Sequence, residues 1–83
     1  MSFFKGLCFK EDNVAYSQND IEGKITPGGE DECANWCGLN PLCLFWTFTK
    51  SDKKCILKSS DSGRETGKTD KISGSRSCAT GNF

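Results

Sequence analysis

The residues of this chain with chemistry to offer are its sulfurs. Six of the 83 residues are cysteines and none is histidine. Cys33, Cys37 and Cys43 crowd into one stretch as Cys33-x3-Cys37-x5-Cys43, while Cys8, Cys55 and Cys78 are spread along the rest. Zinc ligation and disulfide bonding compete for such a set. A structural zinc site takes a C-x2-C knuckle or mixes cysteine with histidine, and neither is here. Disulfides fit, because a chain this short buries only a modest core and needs covalent help. Without histidine there is no Ser-His or Cys-His nucleophile pair. Six bridged sulfurs leave no reactive thiol.

The remaining candidates for catalysis are weaker. Glu30, Asp31 and Glu32 form a carboxylate cluster, but they sit where a helix begins and where negative charge complements its dipole. Gly63-x3-Gly67-Lys68 lacks the preceding strand and the glycine pattern of a phosphate loop. The sequence therefore predicts no enzyme, no metal and no cofactor. A basic group is the better lead: Lys50, Lys53, Lys54 and Lys58 on a predicted hairpin, with Arg64 and Lys68 from the loop after it, form a candidate surface for sulfated glycans.

Charge frames that lead. Basic and acidic residues balance at 11 each. Residues 1–42 carry net −4 and residues 43–83 net +4, an asymmetry able to steer a charged partner or simply to solvate the surface. Zero net charge argues against nucleic acid. No apolar run approaches the length of a membrane span. Three disulfides place the chain in an oxidising compartment, yet Met1-Ser-Phe-Phe-Lys5 is too short for a signal peptide. The expectation is one module of a longer secreted chain, with residues 1–5 a start or linker, 6–78 the domain and 79–83 a tail or inter-repeat linker.

Elements must position these groups. Residues 6–10 read as a first strand containing Cys8. Residues 11–26 hold one or two short strands with a turn at Asn19-Asp20 or Gly23. Thr26-Pro-Gly-Gly29 breaks the chain, and a helix of about residues 29–38 follows. Cys33, Trp36 and Cys37 share its inner face, Gly38 terminates it and Asn40-Pro41 forbids continuation. Leu44 to Thr49 is an aromatic, β-branched strand with Leu44, Trp46 and Phe48 on one face. Residues 54–58 return as its hairpin partner. Residues 59–70 contain no large apolar side chain and read as a long mobile loop. Residues 72–78 are a last strand. Sequence alone does not choose among the many pairings of six cysteines. One helical turn disfavours Cys33–Cys37, Cys43 can fold back to Cys37, and Cys55 on the return strand can reach Cys33.

The spacing resembles the PAN/apple family on Cys8, Cys33-x3-Cys37, Cys43 with Phe45-Trp-Thr-Phe48, Cys55-Ile-Leu57 and Gly74-Ser-Arg-Ser-Cys78, nearly the whole chain. Within the family it looks most like the apple repeats of apicomplexan (Eimeria) microneme proteins. The resemblance implies an α+β fold, with a curved antiparallel sheet of about five strands around one helix. It also implies the bridges Cys8–Cys78, Cys33–Cys55 and Cys37–Cys43. It implies a non-catalytic extracellular adhesion module, secreted through the microneme and used in host-cell attachment and invasion. The partners expected are a host-cell surface protein or glycan, another secreted parasite protein, or neighbouring repeats. A spacer repeat with no ligand is the alternative. Tyr16 is a candidate aromatic platform for a sugar, set against a packing role in its strand. Protein recognition would use the sheet face or the residue 59–70 loop.

Overall fold

A computed structural model describes residue 8 and residues 10–79 of the chain. In order they form β1 (Lys10–Asp12), β2 (Ala15–Tyr16), β3 (Asp20–Ile25), α1 (Glu30–Leu39), β4 (Phe45–Thr49), β5 (Lys54–Lys58), β6 (Arg64–Glu65) and β7 (Lys71–Ser75), closed by a 3-10 turn at Arg76–Cys78. Five strands make one sheet in the order β1-β7-β4-β5-β3, with antiparallel neighbours throughout. β2 and β6 pair separately as a small second sheet.

The most apolar strand takes the centre. Phe45-Trp-Thr-Phe-Thr49 is wholly aromatic and β-branched, suited to a pleated strand flanked on both sides. Its alternation sorts the sheet into two faces. Trp46 and Phe48 lie opposite Leu57 and Cys55 on β5, and opposite Gly74 and Ile72 on β7. These residues face α1 and close the main core with Cys33, Ala34, Cys37 and Cys43. Trp46 and Leu57 are wholly buried, each contributing about 1.5–3 kcal/mol of apolar transfer. The Trp46 indole N–H donates to the Ser75 carbonyl at 3.0 Å, so its polar edge is satisfied.

The helix is held at both ends and along its inner face. Gly29 is its N-cap at φ 91°, a left-handed conformation that costs glycine nothing. The Glu32 carboxylate reaches back to accept from the Gly28 N–H at 2.6 Å, a side-chain cap at the helix start. Disulfides Cys33–Cys55 and Cys37–Cys43 tie the inner face to β5 and to the turn before β4. Cys8–Cys78 joins the two ends of the described chain.

The structure differs from the sequence reading at several elements. The first strand is Lys10–Asp12 and excludes Cys8; residues 6, 7 and 9 of the predicted strand lie outside the described residues, as do residues 1–5 and 80–83. The helix runs one residue later, ending at Leu39 rather than Gly38. Of the two predicted turn positions the chain uses Asn19, at φ 65°, while Gly23 stays inside β3. β4 begins at Phe45, leaving Leu44 about half exposed instead of on the core face with Trp46. The last strand stops at Ser75, and residues 76–78 coil into the 3-10 turn.

The largest difference is the predicted mobile loop. Residues 59–70 contain β6 and are stitched to the β1–β3 region by backbone bonds. Ser59 N donates to Asn19 O at 3.0 Å, Ser17 N to Gly63 O at 3.1 Å, and Lys68 N to Asn13 O at 3.0 Å. Gly63 makes the close approach possible: its φ is 72°, and a Cβ there would meet Ser17 Oγ at 2.5 Å. Through β6 the segment pairs with β2, which lies against the outer face of the sheet.

Candidate functional site

The outer face of the sheet is polar. Register places Phe45, Thr47 and Thr49 of β4 beside Lys54, Ile56 and Lys58 of β5, and beside Lys71, Ser73 and Ser75 of β7. A hydroxyl relay fastens β2 onto this face. The Ser73 hydroxyl donates to Val14 O at 2.6 Å. A hydroxyl has one proton to give, so in the 2.8 Å contact with Ser73 the Thr47 hydroxyl is the donor. Thr47 Oγ1 in turn accepts from the Tyr16 N–H at 3.1 Å. Two side chains thereby satisfy buried backbone groups, Val14 O and Tyr16 N–H, along β2.

A cavity of about 510 Å³ opens beside this layer, lined by Cys8, Lys10, Glu11, Tyr16, Phe45, Asp61 and Arg64. Its apolar floor is an edge-to-face pair, Tyr16 on Phe45, with ring centres 5.5 Å apart and planes at 85°. Glu11 is its polar hinge. It accepts from the Tyr16 hydroxyl at 3.0 Å and from Arg64 Nε and Nη2, the latter at 2.6 Å. The Arg64 hydrogen bond holds the Glu11 carboxyl below the usual carboxylate range despite partial burial, and Glu11 raises Arg64 in return. Burial first, then the Glu11 hydrogen bond, pushes the Tyr16 phenol up to about 12. Lys10 is raised by its hydrogen bond to Glu30 at 2.8 Å. The arrangement offers stacking area with donors and acceptors of both signs around it.

The six basic residues singled out in the sequence do not form one patch. Lys50, Lys53 and Lys54 do gather at the β4–β5 hairpin end. There Asp52 accepts from Lys54 N, and Asp70 accepts from Ser51 N and its hydroxyl, so carboxylates offset the charge. Lys58 sits four residues along β5, roughly 13 Å away at strand rise. Its side chain is only 5% exposed and is paired with Asp20. Arg64 is engaged by Glu11, and Lys68 lies 3.5 Å from Glu65. A smaller cavity, about 270 Å³, collects a different set: Lys58 and Lys68 together with Lys71, against Tyr16, Thr47, Thr49 and Glu65. Among the described residues no group of His, Cys, Asp and Glu is placed to hold a metal ion.

Sequence reasoning missed Glu11, Phe45, Lys71 and Arg76 as site or framework residues. Arg76 had a readable signal. Helix α1 opens on three acidic residues and has no basic residue in its last turn, so a cation had to come from elsewhere. Arg76 supplies it, donating from Nη1 to Asn40 O at 2.5 Å, Cys43 O at 2.9 Å and Cys37 O at 3.4 Å, and from Nη2 to Gly38 O at 2.7 Å. Lys71 had none, since only the sheet register reveals which lysines share a face.

Comparison with known proteins fits this architecture. No curated protein sequence matches the chain significantly. The solution structure of the two N-terminal apple domains of Toxoplasma gondii microneme protein 4 superimposes with a TM-score of 0.69 at 25% identity. The match covers 78% of this chain and 42% of that two-domain chain. The likeness to an apicomplexan microneme protein agrees with the branch expected from the cysteine spacing. No helix among the described residues is long and apolar enough to cross a membrane. The family model for the PAN domain matches residues 8–82, and the chain belongs to that family.

Proposed function

We propose that the chain is a non-catalytic extracellular adhesion module, one repeat of a secreted microneme protein, that binds a host-cell surface protein or glycan through the layer over the outer sheet face. Residues 6–78 form the module, and the flanking residues serve as linkers to neighbouring repeats. The observation that carries the reading is the 510 Å³ cavity floored by Tyr16 and Phe45 and rimmed by Lys10, Glu11, Asp61 and Arg64. Its lining combines aromatic area with convergent polar groups of both signs, the composition of a recognition site for a neutral polar ligand. PAN membership and the likeness to microneme apple domains support an adhesive role.

A glycan array and a surface-protein pull-down with the chain, alone and as tandem copies, test the proposal. Binding by the wild type that falls at least tenfold in Arg64→Ala and Asp61→Ala supports it. Binding that ignores both substitutions moves the site elsewhere. Silence in both assays leaves a spacer repeat that contributes length and multivalency only.

A further inference from the structure

We infer that the 270 Å³ cavity between the β2–β6 layer and the outer sheet face is an oxyanion subsite that takes the sulfate ester or carboxylate of an acidic sugar. This deepens the adhesive reading by naming the chemistry of part of its ligand, and rests on that reading only for the biological source of the sugar.

The donor set makes the argument. Lys58, Lys68 and Lys71 approach the cavity from three separate segments. Lys71 Nζ donates to Thr49 Oγ1 at 2.6 Å, which leaves the Thr49 hydroxyl proton to be given to something else. The Thr47 hydroxyl is already spent on Ser73. The lining thus offers donors on three ammonium ions and on the Thr49 hydroxyl. Two carboxylates oppose the three lysines: Glu65 of the lining, 3.5 Å from Lys68 with both side chains about half exposed, and Asp20, paired with Lys58, so the surplus is one positive charge, centred on Lys71. A surplus of positive charge lined with donors is matched by an acceptor-only anion, not by a neutral hydroxyl that must also donate.

Burial strengthens the case. The Lys58 side chain is 95% covered and is paired with Asp20, whose own side chain is 63% exposed. A charge held in such a place interacts more strongly than one at the surface. Ala15, Tyr16 and Ile56 supply apolar walls. The cavity lies just under the size range of sites that hold a whole small ligand, so it takes one charged unit of a longer molecule. Tyr16 borders this cavity and the larger one alike, so a sugar chain can reach both.

The test is amide chemical-shift titration of the disulfide-intact chain with glucuronate and with N-acetylglucosamine 6-sulfate, against glucose and N-acetylglucosamine. Shifts centred on Thr49, Lys68 and Lys71 with either acidic sugar, at least tenfold weaker with the neutral ones, support the subsite; the two acidic probes tell carboxylate from sulfate. Lys71→Met and Lys68→Met should each weaken the acidic probe about three- to tenfold, and Lys50→Met should not. Lys58→Met carries a folding risk, so Lys68 and Lys71 bear the test. Equal response to neutral and acidic sugars, shifts at the hairpin end instead, or a double Lys68→Met, Lys71→Met chain that binds as wild type overturns the inference. Arg64→Ala should spare these shifts, so the adhesive reading and the subsite fail separately.

Discussion

Replacing Arg76 by methionine should destabilise the module strongly. The guanidinium sits where the carbonyls of the last turn of α1 and of the following loop converge, with oxygens of Gly38, Asn40 and Cys43 at 2.5–2.9 Å and Cys37 at 3.4 Å. Methionine keeps much of the packing volume and removes every donor. Hydrogen bonds to charged groups contribute roughly 1.5–3 kcal/mol each when the lost partner stays dry. Arg76 is half-buried, so water will replace part of the fork. Counting one bond left without a substitute, at about 2 kcal/mol, and about 1 kcal/mol for the helix dipole gives a loss of about 3 kcal/mol. For a domain of this size that lowers Tm by about 12–24 °C. Lysine keeps the charge but cannot span four diverging carbonyls, so Arg76→Lys should lose about half as much. Urea unfolding of the oxidised chain, followed by tryptophan fluorescence, measures both. A loss under about 1 kcal/mol for Arg76→Met would mean that solvent serves these carbonyls as well as the guanidinium does. Full rescue by lysine would show that charge alone matters and would refute the fork.

Thr47→Val should cost about 1–3 kcal/mol despite its near-equal volume, because it leaves the buried Tyr16 N–H without an acceptor; hydrogen exchange at Tyr16 should accelerate more than at the β4–β5 pairs. Tyr16 is the single tyrosine of the chain, so phenolate absorbance reports it alone. It should titrate near 12, and Glu11→Gln should bring the midpoint down. The phenol is raised in the folded state, so its stabilisation is whole below the ordinary value near 10 and is lost as pH climbs from there through 12; a midpoint at 10 in the folded chain would contradict its burial. Removing the bridges one at a time, as Ser pairs, should cost roughly 4, 3 and 2 kcal/mol for separations of 70, 22 and 6 residues. An inverted order in urea midpoints would mean that packing around the sulfurs outweighs chain entropy.

What could be read from the sequence was local. Cys33, Trp36 and Cys37 at helical spacing and the alternating Phe45–Thr49 announce their elements because short-range periodicity encodes them. The order of residues 59–70 could not be read in that way. It depends on backbone bonds to Asn13, Ser17 and Asn19, distant in the chain, and two-residue strands carry no period. Lys58 shows the same blindness. Its alternation puts it on the outer face correctly, but that face looks solvated until β2 and β6 are known to cover it and Asp20 to meet it. The larger cavity was half legible: Tyr16 and Arg64 stood out, while Glu11 and Phe45 gain their roles from tertiary pairing alone.

The bridge between Cys8 and Cys78 also determines how the module would bear a load. Its Cα atoms are 4.5 Å apart, and the strands leading inward from it, β1 and β7, are antiparallel neighbours. In any longer chain, tension arriving before Cys8 and leaving after Cys78 crosses one covalent bond and bypasses the fold. Without that bond the same pull would act at the open end of the β1–β7 ladder and part its hydrogen bonds one after another, the weakest direction in which a sheet can be loaded. A string of such modules under flow would keep every recognition surface folded while stretched, and would lengthen only where its bridges were reduced.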